Sequence, residues 1–276
     1  MCYANRMTST LTWTSTHKPL NQDAVASSRH CVCIADGVTP LNTTQDDNKA
    51  MLTHVFSHTL TTLIARNATN PHTVRDAFAT CLMEAQLMVQ TEGIQSTVSF
   101  ATWDKSTVSI ACLGDSPAYV VFKNGTVEKV ADPVFKGAGT EILQQVIKRV
   151  ESGKSWKKSY KKAKADLLKN RQNRNTVNGT WIADSTTPAT LISQHLHVKT
   201  FNREDVDAVV LLTDGAEVFH DPFEIITFKE LLNVNDTHLL NKLYAQAAEL
   251  EKKDEKRSKY PRFSFMDDAT YARVSF

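Results

Sequence analysis

Aspartates stand where several apolar, strand-like runs begin or end, and carboxylates in that position could bind cations. The segments are Ile34-Ala-Asp-Gly37, Leu113-Gly-Asp-Ser116, Leu212-Thr-Asp-Gly215 and Phe265-Met-Asp-Asp268. A carboxylate at the mouth of a buried strand loses hydration, so it needs a cation or hydrogen bonds to compensate. Because no set of histidines or cysteines stands beside these acids, the predicted ligands are oxygens, which suit magnesium or manganese and suit zinc poorly. The sequence therefore predicts a divalent-cation site that includes Asp36, Asp115, Asp214 and Asp267.

Divalent cations held by such carboxylates could hydrolyse a phosphate ester. Two ions a few ångströms apart can share a bridging carboxylate and lower the pKa of a water held between them, which supplies hydroxide in line with a phosphoryl group. The glycines that follow Asp36 and Asp214 fit this chemistry. Without a side chain, a glycine lets a backbone carbonyl approach a metal and permits a sharp exit from the strand.

The acids lie far apart in the sequence, so the fold must bring the strand ends that carry them together at one edge of the sheets, here called the rim. The apolar runs 31–35 and 208–212 are typical of strands buried on both faces, and the run 269–276 is a closing strand. Further strands are predicted over 8–16, 24–28, 97–103, 108–113, 118–122, 126–130 and 190–201. The hairpin signal Lys123-Asn-Gly125 favours an antiparallel meander over 97–130. Apolar spacing predicts helices over 51–64, 73–91, 223–232 and 239–250, and the charged stretch 249–259 is expected to be exposed.

Residues 137–179, here called the basic insert, differ from the rest of the chain in composition. Between residues 148 and 174 the acids are Glu151 and Asp166, against a much larger number of lysines and arginines. Trp156, Tyr160, Leu167 and Leu168 are predicted to form an apolar stripe that docks the insert on the body. The insert could be a solvated helical hairpin, or a docking surface for acidic or phosphorylated partners. Nucleic-acid binding is the weakest alternative, since a single basic patch with few aromatic residues is its only support.

The composition of the 276-residue chain bounds its class. With 41% hydrophobic and 22% charged residues it is an ordinary globular chain, and a net charge of +2 does not indicate nucleic-acid binding by the whole molecule. No apolar run approaches the roughly 20 residues of a membrane helix, and the first residues lack the apolar core of a secretory signal, so a cytoplasmic protein is expected. The cysteines Cys2, Cys31, Cys33, Cys81 and Cys112 have no zinc or disulfide spacing and are expected to pack as small apolar residues. His54 and His58 have a spacing that could hold a metal, but a packed or solvated helix face is favoured because no third ligand is near.

The order and the separations of six segments resemble those of the metal-dependent protein phosphatases of the 2C type, especially the bacterial branch. The segments are Lys18-Pro-Leu-Asn-Gln-Asp23, Ile34-Ala-Asp-Gly37, Gln95-Ser-Thr97, Leu113-Gly-Asp-Ser116, Leu212-Thr-Asp-Gly215 and Met266-Asp-Asp-Ala-Thr270. The resemblance implies an α+β fold, a four-layer αββα sandwich of two antiparallel sheets flanked by helices, as a single domain over 1–276 that carries the basic insert. It also implies hydrolysis of phosphoserine and phosphothreonine in phosphoproteins by metal-bound water.

The resemblance also implies roles for individual residues. Asp36 would bridge two manganese or magnesium ions, and the carbonyl of Gly37 would bind one of them. Asp214 and Asp267 would complete the other site. Asp115 would help Asp214 to bind a third, weaker ion. The implied catalytic residues are Asp36, Asp214 and Asp23.

The remaining implied residues support the metal ligands or the substrate. Asp23 would orient metal-bound water from the second layer around the ions, and Gln22 and Asp268 would lie in the same layer. Lys18 would bind the substrate phosphate. The implied partners are a phosphoprotein and an opposing serine/threonine kinase, for a monomer that needs neither membrane nor nucleic acid.

Several positions depart from the family pattern. Gln22 stands where a glutamate often precedes the aspartate, and Lys18 replaces an arginine without supplying its bidentate fork. Val38 replaces the histidine of animal members, so the proton for the leaving group is expected from water. Pro117 replaces an arginine, and Thr39-Pro40 stands where a glycine pair is common. These changes bear on rate and substrate choice more than on the metal site. They also motivate the alternative of a catalytically weak regulatory module that binds phosphoproteins through Lys18 and the basic insert.

Overall fold

Two antiparallel sheets form the centre of the molecule. The computed structural model describes residues 8–38, 47–135, 138–255, 257, 259–263 and 265–276. Its strands are β1 (Ser9–Ser15), β2 (Ala24–Ser27), β3 (Cys31–Gly37), β4 (Gln95–Trp103), β5 (Thr107–Leu113), β6 (Ala118–Phe122), β7 (Val127–Val130), β8 (Ala183–Asp184), β9 (His197–Asn202), β10 (Val206–Leu212) and β11 (Ala269–Ser275). One sheet has the order β1-β11-β10-β6-β7; the other has the order β2-β3-β4-β5-β9, with β8 paired to β4. Every pairing is antiparallel.

Helices cover the outer faces of both sheets. The α-helices of the described chain are α1 (Asp47–Asn67), α2 (Val74–Met88), α3 (Ala138–Glu151), α4 (Trp156–Gln172), α5 (Ala189–Gln194), α6 (Asp214–Glu217), α7 (Phe228–Leu232) and α8 (Thr237–Lys253). Phe56 of α1 and Phe78 of α2 pack on the outer face of the sheet that contains β4. Leu231 of α7 and Leu240 of α8 pack on the outer face of the sheet that contains β10. A third core fills the space between the sheets. The predicted four-layer αββα sandwich is confirmed.

Strand β3 shows why its sequence fits the centre of this sandwich. Val32 and Ile34 face the other sheet, while Cys31 and Cys33 face the helices, because alternate side chains of a strand point to opposite faces. All of these side chains are fully buried. A strand buried on both faces must be apolar throughout, as predicted, and the two thiols pack as small apolar groups.

The predicted meander over 97–130 is wrong at its centre. Strands β4 and β5 pair with each other, as do β6 and β7, but β6 pairs with β10 in the other sheet. The chain crosses between the sheets at Gly114, whose φ of +90° is a conformation that suits glycine. A Cβ there would also lie 2.8 Å from Thr97 Cγ2. This crossing places Asp115 at the edge of the sandwich.

Two other local predictions need correction. Residues 189–194 form the short helix α5, since Ala189 and Ile192, three positions apart, both reach the core through helical spacing. The charged stretch 249–259 is not wholly exposed, because Glu251 and Asp254 are buried and form salt bridges with Arg262. Helix formation in the predicted segment 223–232 is limited to α7.

The basic insert folds as the expected helical hairpin of α3 and α4. Its small core contains Ile142, Val146 and Ala163, packed with Trp156, Tyr160, Leu167 and Phe263. The predicted apolar stripe is therefore present without Leu168. Cys2, Thr39-Pro40 and residue 137, where the insert was predicted to begin, lie outside the described residues. Across the described chain, no helix combines the length and apolar character needed to cross a bilayer.

Candidate active site

The strand ends bring the predicted aspartates to one rim of the sandwich. Asp23 precedes β2, Asp36 ends β3, Asp115 follows β5, Asp214 follows β10, and Asp267 precedes β11. The charges of all four other aspartates raise the pKa of Asp36. Because such effects act over short distances, the five carboxylates lie close together, although up to 244 positions separate them in sequence. The topology therefore concentrates negative charge at one place.

Loss of hydration and mutual repulsion both oppose ionisation of these acids. Desolvation raises the pKa of Asp36 well above its usual value, and the charges of Asp214 and Asp23 add to the shift. Desolvation also raises the pKa of Asp214, with further contributions from Asp267 and Asp115. Asp115 and Asp214 nevertheless keep solvent-exposed surface. An exposed group of mutually repelling carboxylates favours the binding of cations.

Asp23 is held beneath the rim by a threonine. Its Oδ2 accepts a 2.8 Å hydrogen bond from Thr213 Oγ1, and Thr213 Oγ1 accepts a 2.9 Å bond from the Thr270 amide. Burial and, to a smaller extent, the charge of Asp268 raise the pKa of Asp23 to about 8, against the opposing effect of the bond from Thr213. Thr213 thus joins the β10 end to the β1–β2 loop and to β11.

Asp268 connects the loop before β2 to the segment before β11. Its carboxylate accepts hydrogen bonds from Thr16 Oγ1 at 2.5 Å, from Lys18 Nζ at 3.2 Å and from the Gln22 amide at 3.0 Å. The side chain is buried, and Asp268 shares Lys18 with Asp267. Asp268 therefore acts as a scaffold for the rim.

Lys18 is the counter-ion of Asp267 in this structure. Its Nζ lies 2.6 Å from Asp267 Oδ1. Burial alone would lower the pKa of Lys18, but the charges of Asp267 and Asp268 outweigh it and raise the pKa above its usual value. Lys18 is therefore charged at neutral pH. It contacts Asp267, a predicted metal ligand, and its implied role toward the substrate phosphate stays a prediction.

The glycines after Asp36 and Asp214 have a packing reason that the sequence did not reveal. A Cβ on Gly37 would lie 2.5 Å from the Gln22 carbonyl oxygen, and one on Gly215 would lie 2.0 Å from the Asp268 carbonyl oxygen. Real Cβ atoms do not approach so closely. These glycines allow the loops that carry Gln22 and Asp268 to pack directly against the strand ends.

Two arginines of the basic insert also reach the acids, and sequence reasoning missed them. Arg174 Nη1 donates a 2.9 Å hydrogen bond to Gln95 Oε1 at the start of β4. Burial raises the pKa of Asp115, and the Arg174 charge opposes that shift. Burial and Arg174 lower the pKa of Arg171 to about 10, against the opposing charges of the rim acids, including Asp115 and Asp36. The sequence showed only that both arginines end a cationic run, because their proximity to Asp115 depends on how α4 docks.

The donor set fits hard divalent cations. All candidate side-chain ligands are carboxylates, they repel one another, and two of them are open to solvent. As the side chains lie, however, no three of the described His, Cys, Asp and Glu residues form a ready-made metal cage. Lys18 instead neutralises Asp267. This rim therefore has the chemistry of a cation site, with a lysine in contact with one predicted ligand.

The two histidines with metal-like spacing pack beside the rim. Their rings are 4.2 Å apart, and His54 Nδ1 lies 2.5 Å from the Asn21 carbonyl oxygen. Burial lowers the pKa of His58, and the charge of His54 adds to that effect. This arrangement agrees with the packed helix face that the sequence favoured.

No protein-family model and no curated protein matches this chain. Solved structures do match it. Serine/threonine phosphatase Stp1 from Staphylococcus aureus is 15% identical with a TM-score of 0.55, covering 100% of this chain and 98% of its own. PppA, described as a key regulatory component of the type VI secretion system of Pseudomonas aeruginosa, is 15% identical with a TM-score of 0.53, covering 98% of each chain. The catalytic domain of the protein phosphatase PstP, solved with two manganese ions, is 14% identical with a TM-score of 0.50, covering 97% of each chain. The likeness establishes that this chain has the fold of these proteins over its whole length.

Proposed function

We propose that this chain, which has the fold of bacterial serine/threonine phosphatases, is a metal-dependent phosphatase that hydrolyses phosphoserine and phosphothreonine in proteins. The convergence of Asp36, Asp115, Asp214 and Asp267 at one rim of that fold carries the proposal. Manganese is the favoured cation, since a structural neighbour was solved with two manganese ions. Magnesium, and a third ion at Asp115, extend the proposal.

The proposed metal-binding groups come from separate loops. Asp36 and the carbonyl of Gly37 would hold ions at the end of β3, Asp214 and Asp267 would complete the pair, and Asp115 with Asp214 would take the third. When bound, the ions neutralise phosphate charge and activate water for attack on phosphorus. The raised pKa values of Asp36 and Asp214 support these roles, because the cations would relieve the repulsion that causes part of each shift.

Asp23 and Thr213 would position groups at the reacting centre. Asp23 is buried and receives a hydrogen bond from Thr213, so its orientation is fixed. Burial chiefly raises its pKa to about 8 in the metal-free chain, so Asp23 would hold a proton near neutral pH until cations bind. Gln22 and Asp268 would support the same layer through the bond between the Gln22 amide and Asp268.

Lys18 would bind the substrate phosphate. An ammonium group has three N–H donors, of which Asp267 and Asp268 accept two here. If a cation takes Asp267, Lys18 keeps its bond to the buried Asp268 and offers its other donors to a phosphate oxygen. Arg171 and Arg174 would add positive charge on the opposite, Asp115 side of the rim. The side chain of Val38 has no ionisable group that could donate a proton, so water would protonate the leaving serine.

Hydrolysis of p-nitrophenyl phosphate and of a phosphoserine peptide tests the proposal. We expect turnover only with added Mn²⁺ or Mg²⁺, and loss of at least about 10³-fold in Asp36→Ala and Asp214→Ala, since metal chemistry supplies most of the rate. Asp76→Ala, at an exposed position of α2, is the matched control and should retain full activity. Metal-independent turnover by the two rim variants would overturn the proposal.

A second outcome separates the enzyme from the regulatory alternative. No turnover of either substrate, together with no uptake of manganese in the micromolar to millimolar range, would identify a binding module instead. The proposed setting of the enzyme, a cytoplasmic monomer that opposes a serine/threonine kinase, follows from the resemblance and is tested only by finding its substrate.

A further inference from the structure

Helix α4 presents an exposed, positively charged surface beside the candidate active site. Its exposed lysines are Lys157, Lys158, Lys161, Lys162, Lys164 and Lys169. None of them forms a salt bridge with any other residue that the structure describes. The whole chain has a net charge of only +2, so this concentration of unpaired charge is a local feature that needs its own explanation.

The lysines form two rows on different sides of the helix. Each residue advances an α-helix by about 100°, so Lys157, Lys161, Lys164 and Arg171 fall within an arc of about 80°. This set is called the first row. Lys158, Lys162 and Lys169 lie within about 40° of one another, centred about 125° around the helix from the first row, and are called the second row. The partly buried stripe that includes Trp156 and Tyr160 separates the rows on the side that packs against the core of the insert.

Only the first row leads to the acids of the rim. Its last member, Arg171, is partly buried, and the charges of Asp115, Asp36 and Asp267 act on it. The second row ends at the exposed Lys169. From Lys157 to Arg171 the first row covers about 21 Å, at 1.5 Å per residue. An extended peptide of about six residues has the same length.

We propose that the first row is a docking track for an acidic segment of the phosphoprotein substrate, lying next to the phosphorylated residue. The inference rests on the proposed function, whose active site the track adjoins. Charge complementarity argues for this occupant: carboxylates spaced along an extended peptide would meet successive lysines and end at the arginines beside the rim. Exposed, unpaired lysines would also speed the approach of such a segment.

The aromatic residues of the insert favour a peptide over a nucleic acid. Single-stranded nucleic acids bind through basic grooves that also offer aromatic rings for base stacking. Trp156 and Tyr160 instead pack edge to face with each other, 4.5 Å between ring centroids, and are partly buried against the core of the insert. They are therefore committed to holding α4 in place.

Fluorescence anisotropy with labelled peptides tests the track without requiring catalysis. The probes are phosphoserine peptides with four glutamates before or after the phosphoserine, and a peptide with glutamines instead, added to metal-free protein. The test variant is Lys157→Glu/Lys161→Glu/Lys164→Glu. Its matched control is Lys158→Glu/Lys162→Glu/Lys169→Glu, which changes net charge equally on the second row. A single-stranded oligonucleotide of equal charge is the competing probe.

We expect one of the acidic peptides to bind at least about tenfold more weakly to the test variant, against less than about threefold for the control, with the difference shrinking as salt screens the charges. The neutral peptide should bind weakly to all three proteins. Manganese-dependent hydrolysis of p-nitrophenyl phosphate should be unchanged in both variants, since that substrate cannot reach the track.

Several results would overturn the inference. Equal losses in the two variants would show a diffuse charge effect, and equal binding of acidic and neutral peptides would show no preference. Tighter binding of the oligonucleotide through the same row would assign the surface to nucleic acid. Failure of the proposed function would be recognised separately, as the absence of any hydrolysis by the unmodified protein.

Discussion

The acidic rim and the basic insert are built in opposite ways. The rim is held by buried polar groups: Asp23, Thr213 and Asp268 join several loops through hydrogen bonds. The insert has a small apolar core and leaves its lysines exposed. Buried networks fix geometry, whereas exposed charges can be exchanged at little cost to stability. If the chain acts as proposed, the chemistry and the choice of partner are carried by separate parts of the molecule.

The two regions meet at the segment before β11. The Arg262 amide donates a 3.0 Å hydrogen bond to Tyr160 Oη of the insert. Arg262 also forms salt bridges with Glu251 and Asp254, and Glu251 accepts a 2.6 Å bond from the Met266 amide. The insert is therefore attached to the segment that presents Asp267.

The largest expected effect comes from removing the scaffold of the rim. In Asp268→Ala, Thr16, Lys18 and the Gln22 amide lose their shared acceptor, so we expect a loss of about 3–5 kcal/mol in the free energy of unfolding. Urea denaturation measures the loss, and the exposed-site variant Asp76→Ala should stay within about 0.5 kcal/mol of the unmodified protein. Equal stability of the two variants would show that Asp268 does not hold the rim together.

A smaller effect is expected from the threonine that orients Asp23. Thr213→Val removes the donor to Asp23 and the acceptor of the Thr270 amide, which should cost about 1–3 kcal/mol of stability. The pKa of Asp23 should rise above about 8, because the bond from Thr213 now opposes the effect of burial. The pH profile of turnover should shift with it, and Thr213→Ser should restore both properties. A profile unchanged in the valine variant would separate Asp23 from the reaction.

The pH dependence of stability should reveal the buried acid. The pKa of Asp23 is 3.8 for a free side chain and is raised to about 8 in the folded chain, chiefly by burial. The folded chain thus binds a proton that the unfolded chain releases, so metal-free stability should fall as pH rises from about 4 to 8, by up to about 1.4 kcal/mol per pH unit. Thermal unfolding across this range measures the slope, which Asp23→Asn should reduce. A rising stability would contradict the described environment of Asp23.

The smallest effect is expected at the attachment of the insert. Tyr160→Phe removes the hydroxyl that accepts the Arg262 amide, at a cost of about 1 kcal/mol. Amide hydrogen exchange should become faster in α4 and remain unchanged in β3. Faster exchange in both regions would show that the rim and the insert unfold as one cooperative unit, which would contradict their description as separate regions.

The sequence predicted the parts of the fold that depend on local pattern. Strand β3 was recognisable because a strand buried on both faces must be apolar along its whole length. The crossing at Gly114 was missed, because a glycine between two short strands signals a turn equally well within one sheet or between two sheets. The strand predicted over 190–201 is wrong for α5, because the apolar residues of so short a segment fit helical or strand spacing equally well. Only the structure shows that Ile192 is buried in the core.

In the candidate site, too, some residues could be predicted from local sequence pattern and others could not. The acids could be predicted because each stands at a strand end, and the structure brings Asp23, Asp36, Asp115, Asp214 and Asp267 together. Their assigned roles toward metal remain predictions. The contributions of Thr213 and Arg174 could not be predicted, because each depends on a contact between segments that are distant in sequence.

Calorimetric titration of Mn²⁺ into the metal-free protein would show whether the rim aspartates bind metal. We expect uptake of two ions per chain in the micromolar to millimolar range, and at least about tenfold weaker binding in Asp36→Asn, because the variant loses the proposed bridging carboxylate. No uptake by the unmodified protein, or equal uptake by the variant, would contradict the claim that these aspartates converge to bind metal.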